Sequence, residues 1–147
     1  MNAEARLAAV RARLAGAEPG ALWVSAIANV IYLTGFDNVF DESANAACLI
    51  TGDVARVYTD SRYLEAAEHA ADGTPWTVVK AKDSLEAAAC TGLAGAGGGT
   101  VGFETSLPYA RFRALAAACG AEPVPVEAWI EEARAVKEPA EVERIAR

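Results

Sequence analysis

Apolar and polar positions along the chain change period several times, and each change marks an element. Leu7, Val10 and Leu14 recur at helical spacing between Ala3 and Ala15, with Arg6, Arg11 and Arg13 around the rest of the circumference; three- and four-residue spacing places one face against a core. Gly16 is positioned to end that helix. After Pro19-Gly20, Ala21 to Ser25 is a short apolar run bounded by a turn, which predicts a buried strand. Asn29 to Leu33 predicts a short helix running into a turn at Gly35. Ala46 to Thr51 and Ala55 to Thr59 flank Gly52-Asp53, the pattern of two antiparallel strands joined by a hairpin.

The second half continues the alternation. Asp60 offers a carboxylate as N-cap to a helix over Arg62 to Ala71, with Tyr63, Ala67 and Ala70 on its inner face. Asp72 to Pro75 breaks the chain before a β-branched run, Trp76 to Val79, that reads as a strand. Asp83 or Ser84 caps a helix over Leu85 to Leu93, and Gly95 to Gly99 forms a flexible turn. Thr100 to Phe103 is a further strand, Ser106 and Pro108 open a helix ending at Gly120, and Glu122 to Pro125 is extended. Its two prolines lack N–H donors, so it belongs at a sheet edge. Val126 to Val136 reads as helical, and Pro139 opens another helix, carrying Glu141, Val142 and Ile145, still in progress at Arg147. About six strands alternate with about five helices, which predicts an α/β domain on a mixed sheet.

Composition narrows the function classes. A domain of 147 residues buries roughly two thirds of the surface its unfolded chain exposes, so it needs no disulfides. A net charge of −7 opposes a nucleic-acid or anionic-membrane partner, which would require clustered Lys and Arg. Cys48, Cys90 and Cys119 lack the close pairing of a zinc or redox motif and read as small buried hydrophobes in a reducing compartment. The N-terminal segment lacks the apolar stretch of a secretory signal, and no apolar run reaches the length of a membrane span. A cytoplasmic location is the expectation. The glycine run lacks the Lys-Ser/Thr ending of a phosphate loop. His69, with no second histidine in the chain, reads as a surface or structural residue.

The candidate chemistry centres on the turn at Gly35 and the acidic, aromatic segment Phe36-Asp37-Asn38-Val39-Phe40-Asp41-Glu42. A loop presented by a rigid scaffold is a natural site wall. The same residues also describe a capped helix end with Phe36 packed on the core.

Four blocks fall in an order that resembles the N-terminal domain of the creatinase, prolidase and aminopeptidase P family of pita-bread metallopeptidases. They are Asn29 to Phe36 (NVIYLTGF), Tyr58 to Tyr63 (YTDSRY), Val101 to Glu104 (VGFE) and Arg134 to Ile145 (RAVKEPAEVERI). The resemblance implies a mixed sheet flanked by helices, similar to ribonuclease H. It implies a creatinase-type N-terminal domain over residues 1–136, with 137–147 as linker and start of the first helix of a C-terminal catalytic domain outside this sequence. That domain would hydrolyse the bond preceding proline with two divalent metal ions (manganese, cobalt or zinc) on ligands of its own. This chain would supply no catalytic residue and no metal ligand, and would be inactive alone.

The resemblance further implies homodimers or higher homo-oligomers, with Phe36, Asp37, Asn38, Val39 and Phe40 walling the substrate pocket of a neighbouring subunit. Relatives have small residues after the phenylalanine, where this chain is bulkier and more acidic. A carboxylate there would attract a peptide's free α-amino group, favouring dipeptidase or aminopeptidase action over a creatine-like substrate. Asp60, Arg62 and Tyr63 stand where relatives carry Asp-Gly-Arg-Tyr and are expected to be structural: Asp60 capping, Arg62 paired with a carboxylate of the loop or a partner, Tyr63 packed. Two alternatives stand beside this reading. One is a catalytically dead scaffold or peptide-binding module of the same fold. The other is a free-standing hydrolase using Asp37, Asp41, Glu42 and Asp60 as metal or acid–base groups.

Overall fold

The computed structural model describes residues 2–17, 19–95, 100–119, 123–136 and 145. Most of the glycine turn, Gly120 and, except for Ile145, the helix expected from Pro139 lie outside these residues. In chain order the elements are α1 (Ala3–Ala15), β1 (Ala21–Val24), α2 (Ile27–Thr34), β2 (Ala46–Thr51), β3 (Ala55–Thr59), α3 (Leu64–Ala71), β4 (Thr77–Lys80), α4 (Leu85–Gly95), β5 (Val101–Glu104), α5 (Tyr109–Cys119), β6 (Val124–Val126) and α6 (Trp129–Ala135).

The strands form one mixed sheet in the order β4-β3-β2-β1-β5-β6. The hairpin pairs β2 with β3 antiparallel, with Cys48 opposite Val57, and β2 also runs antiparallel to β1. The pairs β3–β4, β1–β5 and β5–β6 are parallel. Both faces of the central strands are covered, so the two-residue alternation sorts apolar side chains into two cores rather than into core and surface. Leu22, Val24, Cys48, Ile50 and Val57 pack with Leu7, Val10, Val30, Leu33, Ala67 and Ile130 on one face. Trp23, Ala47, Leu49 and Tyr58 pack with Leu85, Ala89, Leu93 and Leu115 on the other. The proline-containing strand β6 does lie at a sheet edge.

Three local expectations are corrected. Asp60 does not cap α3, which begins at Leu64 with Tyr63 as an N-cap that makes no side-chain cap bond. The Asp60 carboxylate instead accepts the Arg62 backbone N–H at 3.0 Å, closing a turn two residues early. Val126 is in β6, not α6, because it pairs beside Glu104 of β5. The chain then reverses through Ala128, a non-glycine residue at φ 59°, before α6 begins. Cys90 and Cys119 are not two separate buried thiols: packing of α4 against α5 brings them into a disulfide, and Cys48 is the buried free cysteine.

Candidate functional site

Helix α2 carries the loop in question; side chains from distant blocks hold its start, and local hydrogen bonds set its end. At its start, the cap residue Ala26 offers no side-chain acceptor. Glu104, at the end of β5, fills that role: its Oε1 accepts the backbone N–H groups of Ser25 at 2.8 Å and Ala26 at 2.9 Å. Its Oε2 accepts a hydrogen bond from Asn29 Nδ2. The Asn29 Oδ1 in turn accepts from Arg134 Nη1 of α6 at 2.9 Å. A carboxylate beside a helix N-terminus meets unpaired N–H donors and the positive end of the helix dipole. Burial nonetheless outweighs those donors and raises the Glu104 carboxyl above its ordinary value. Glu104 and Asn29 are almost wholly buried.

At the other end, Gly35 ends α2 at φ 77°, and its N–H donates to the Ile31 carbonyl at 2.8 Å. A side chain there would strain the left-handed backbone, so glycine is the residue this stop requires. The Thr34 hydroxyl donates to the Val30 carbonyl at 2.8 Å and accepts the Phe36 N–H at 3.2 Å.

The five loop residues divide into anchors and tip. Phe36 and Phe40 are buried at 3% and 4% exposure. Their rings lie 6.2 Å apart, and Phe40 meets Tyr63 edge-on at 5.8 Å. Burying a ring of this size contributes about 1.5–3 kcal/mol, which seats the turn closed by the N–H groups of Val39 and Phe40 on the Phe36 carbonyl. Asp37 and Asn38 are exposed and Val39 is half-buried. The exposed tip of the loop is therefore Asp37, Asn38 and part of Val39, with the phenylalanines beneath.

Tyr63 also brings the second block to this loop. Arg62 pairs with Asp60 of its own block, Nη2 to Oδ2 at 2.9 Å, and its guanidinium lies 5.3 Å from the Tyr63 ring. That hydrogen bond leads the effects that lower the Asp60 carboxyl. Asp41 is lowered first by the hydroxyl and then by the N–H of Ser43, both bonded to its Oδ1, with smaller contributions from Tyr63 and Arg62. Such exposed pairs orient side chains and add little stability.

Residue reading assigned no role to Asn29, Glu104 or Arg134, although each stands within a quoted block. The available signal was a carboxylate and an amide interrupting apolar runs, since buried polar groups need partners. Among the described residues no group of three or more His, Cys, Asp or Glu is arranged to hold a metal ion. His69 is exposed on α3. The residues described here thus do not fit a metal pair, and no helix among them is long and apolar enough to cross a membrane.

Residues 6–136 match the Creatinase/Prolidase N-terminal domain. The chain belongs to this family. Its fold is similar to that of an Xaa-Pro dipeptidase from Bacillus anthracis, with a TM-score of 0.85 and 23% identity over 97% of this chain and 38% of that one. An Xaa-Pro aminopeptidase (aminopeptidase P) structure from Streptococcus thermophilus aligns at a TM-score of 0.76 and 26% identity, over 90% of this chain and 98% of that one. The N-terminal domain of the cytoplasmic peptidase PepQ from Mycobacterium tuberculosis H37Rv aligns at 0.69 and 28% identity, over 88% and 98%. None of the curated proteins compared matches the chain. The creatinase/prolidase N-terminal domain thus spans 38% of the length of the Bacillus anthracis dipeptidase. Its mixed six-stranded sheet is the fold that the four blocks implied.

Proposed function

We propose that this domain is the non-catalytic N-terminal module of a cytoplasmic Xaa-Pro dipeptidase or aminopeptidase, and that it forms homo-oligomers in which its loop walls a neighbouring subunit's substrate pocket. Peptide-bond hydrolysis then belongs to a C-terminal domain reached through residues 137–147, which carries two divalent metal ions. The metals supply hydroxide and polarise the scissile carbonyl when bound. The observation that carries the reading is the division of the loop: Phe36 and Phe40 are anchored in the core while Asp37 and Asn38 stand exposed at the tip. An exposed carboxylate on a fixed turn suits recognition of a peptide's α-ammonium group, and a rigid support is what positioning of that kind needs.

The test is an assay of the 147-residue domain on Xaa-Pro dipeptides and longer Xaa-Pro peptides with manganese or cobalt, with calorimetric titration of each metal. The expected result is no hydrolysis and no stoichiometric metal binding. Turnover by this domain, or a stoichiometric metal site within it, overturns the proposal.

A further inference from the structure

Away from the loop, the sheet carries a recess with its own charged and apolar lining. Helix α4 packs over β2 and β3, and between its flank and the outer strand β4 lies a cleft of about 570 Å³. Val79 and, from α4, Ala87 and Ala88 give it apolar walls, Arg56 and Lys82 stand at its edge with Asp83 as the one carboxylate, and the buried Tyr58 lies behind them. Two side-chain cations against one anion is a local reversal in a chain of net charge −7. Among the described residues Lys82 is not paired with a carboxylate.

Lys80 also borders the cleft, but it follows Val79 on β4, so its side chain points to the other face of the sheet, where it serves as a charge protecting the open edge. Arg56 and Gly92 are not explained that way. Arg56 projects from β3 toward α4, where its Nη1 donates to the Gly92 carbonyl at 3.3 Å. That is the side chain's one hydrogen bond among the described residues, so the rest of the guanidinium fork remains for another acceptor. A Cβ at position 92 would lie 2.2 Å from the Tyr58 hydroxyl and 3.0 Å from Arg56 Nη1. Glycine inside a helix costs about 1 kcal/mol relative to alanine. Here it leaves room for the phenol and the guanidinium to reach the cleft beneath the helix.

We propose that this cleft binds an organic monocarboxylate with an apolar body, its carboxylate held by Arg56 and Lys82 and its body resting on Val79, Ala87 and Ala88. A planar guanidinium matches a carboxylate in two parallel hydrogen bonds. Asp83 at the rim offsets one of the two cations and leaves a single positive charge, which fits a monoanion better than a dianionic phosphate group. The apolar walls give the remainder of the molecule a surface to cover.

The experiment is an amide-resolved NMR titration of the domain with N-acetylphenylalanine, and with N-acetylphenylalaninamide as the uncharged match. The expected result is saturable shifts at Arg56, Val79, Lys82 and Gly92 with roughly millimolar affinity for the acid, at least about tenfold weaker for the amide. Arg56→Gln removes the saturable shifts while leaving the spectrum of the opposite sheet face unchanged. Lys82→Gln, on an exposed loop, weakens them without a question of folding. Equal binding of acid and amide, no saturation by about 20 mM, or the same shifts in the Lys82→Gln protein overturns the assignment.

Discussion

Glu104 is where buried chemistry and chain order meet. It receives the Ser25, Ala26 and Asn29 donors at the start of α2, and Asn29 passes the connection to Arg134. Glu104→Gln places an amide N–H₂ or a reoriented carbonyl against Asn29, so one buried donor loses its acceptor. Leaving such a group unsatisfied costs about 1–3 kcal/mol. The pH dependence follows from the raised folded-state value of this carboxyl above its ordinary 4.5. Between the unfolded and folded values the native state holds more protons, so the stability this group adds is full below about 4.5 and is lost as pH rises through the folded value. The gap in unfolding free energy between the natural chain and Glu104→Gln therefore narrows with rising pH across that window. Urea unfolding of both proteins at a series of pH values checks this, and a gap that widens there contradicts it. This network was poorly legible in the sequence. Glu104 reads as the last residue of an apolar strand and Asn29 as an interruption in an apolar run, and no spacing rule places them together. Pairing β1 with β5 does so, with Trp23 beside Phe103.

At the scale of elements, the patterns governed by nearest neighbours were legible. The hairpin around Gly52-Asp53, the α1 stripe of Leu7, Val10 and Leu14, and the Ser84 cap, which accepts the Ala87 N–H at 3.0 Å, stand as their residues imply. Asp60 was misread because its carboxylate had two local uses, a helix cap or a turn with Arg62, and the turn won. Val126 was misread because parallel pairing with β5 outweighs the helical pattern downstream. The disulfide was illegible for a similar reason: 29 residues separate Cys90 from Cys119, and only the packing of α4 on α5 makes them neighbours. Closing a loop of that length stabilises by about 3–4 kcal/mol in the chain-entropy account. Reduction with dithiothreitol is expected to lower the urea midpoint without unfolding the domain at 25 °C, and Cys90→Ser with Cys119→Ser to match the reduced protein. A midpoint indifferent to reduction contradicts a formed bond.

On the scale of the whole molecule, the two aromatic anchors, the Glu104 network and the Gly35 stop fix one exposed tip on a six-stranded sheet. The four blocks made the sheet class and the family legible, since three of them converge on α2 and the fourth, through Tyr63, supports its loop. They did not reveal which of the five loop residues face outward, because turn geometry and ring packing decide that. In our account the tip belongs to a pocket completed elsewhere, so its residues set binding and leave the chemical step alone. The most direct test is steady-state kinetics of the full-length enzyme on an Xaa-Pro dipeptide, comparing the natural protein with Asp37→Ala. The account predicts a KM raised about three- to tenfold with kcat within about twofold. An unchanged KM, or a loss confined to kcat, would contradict it.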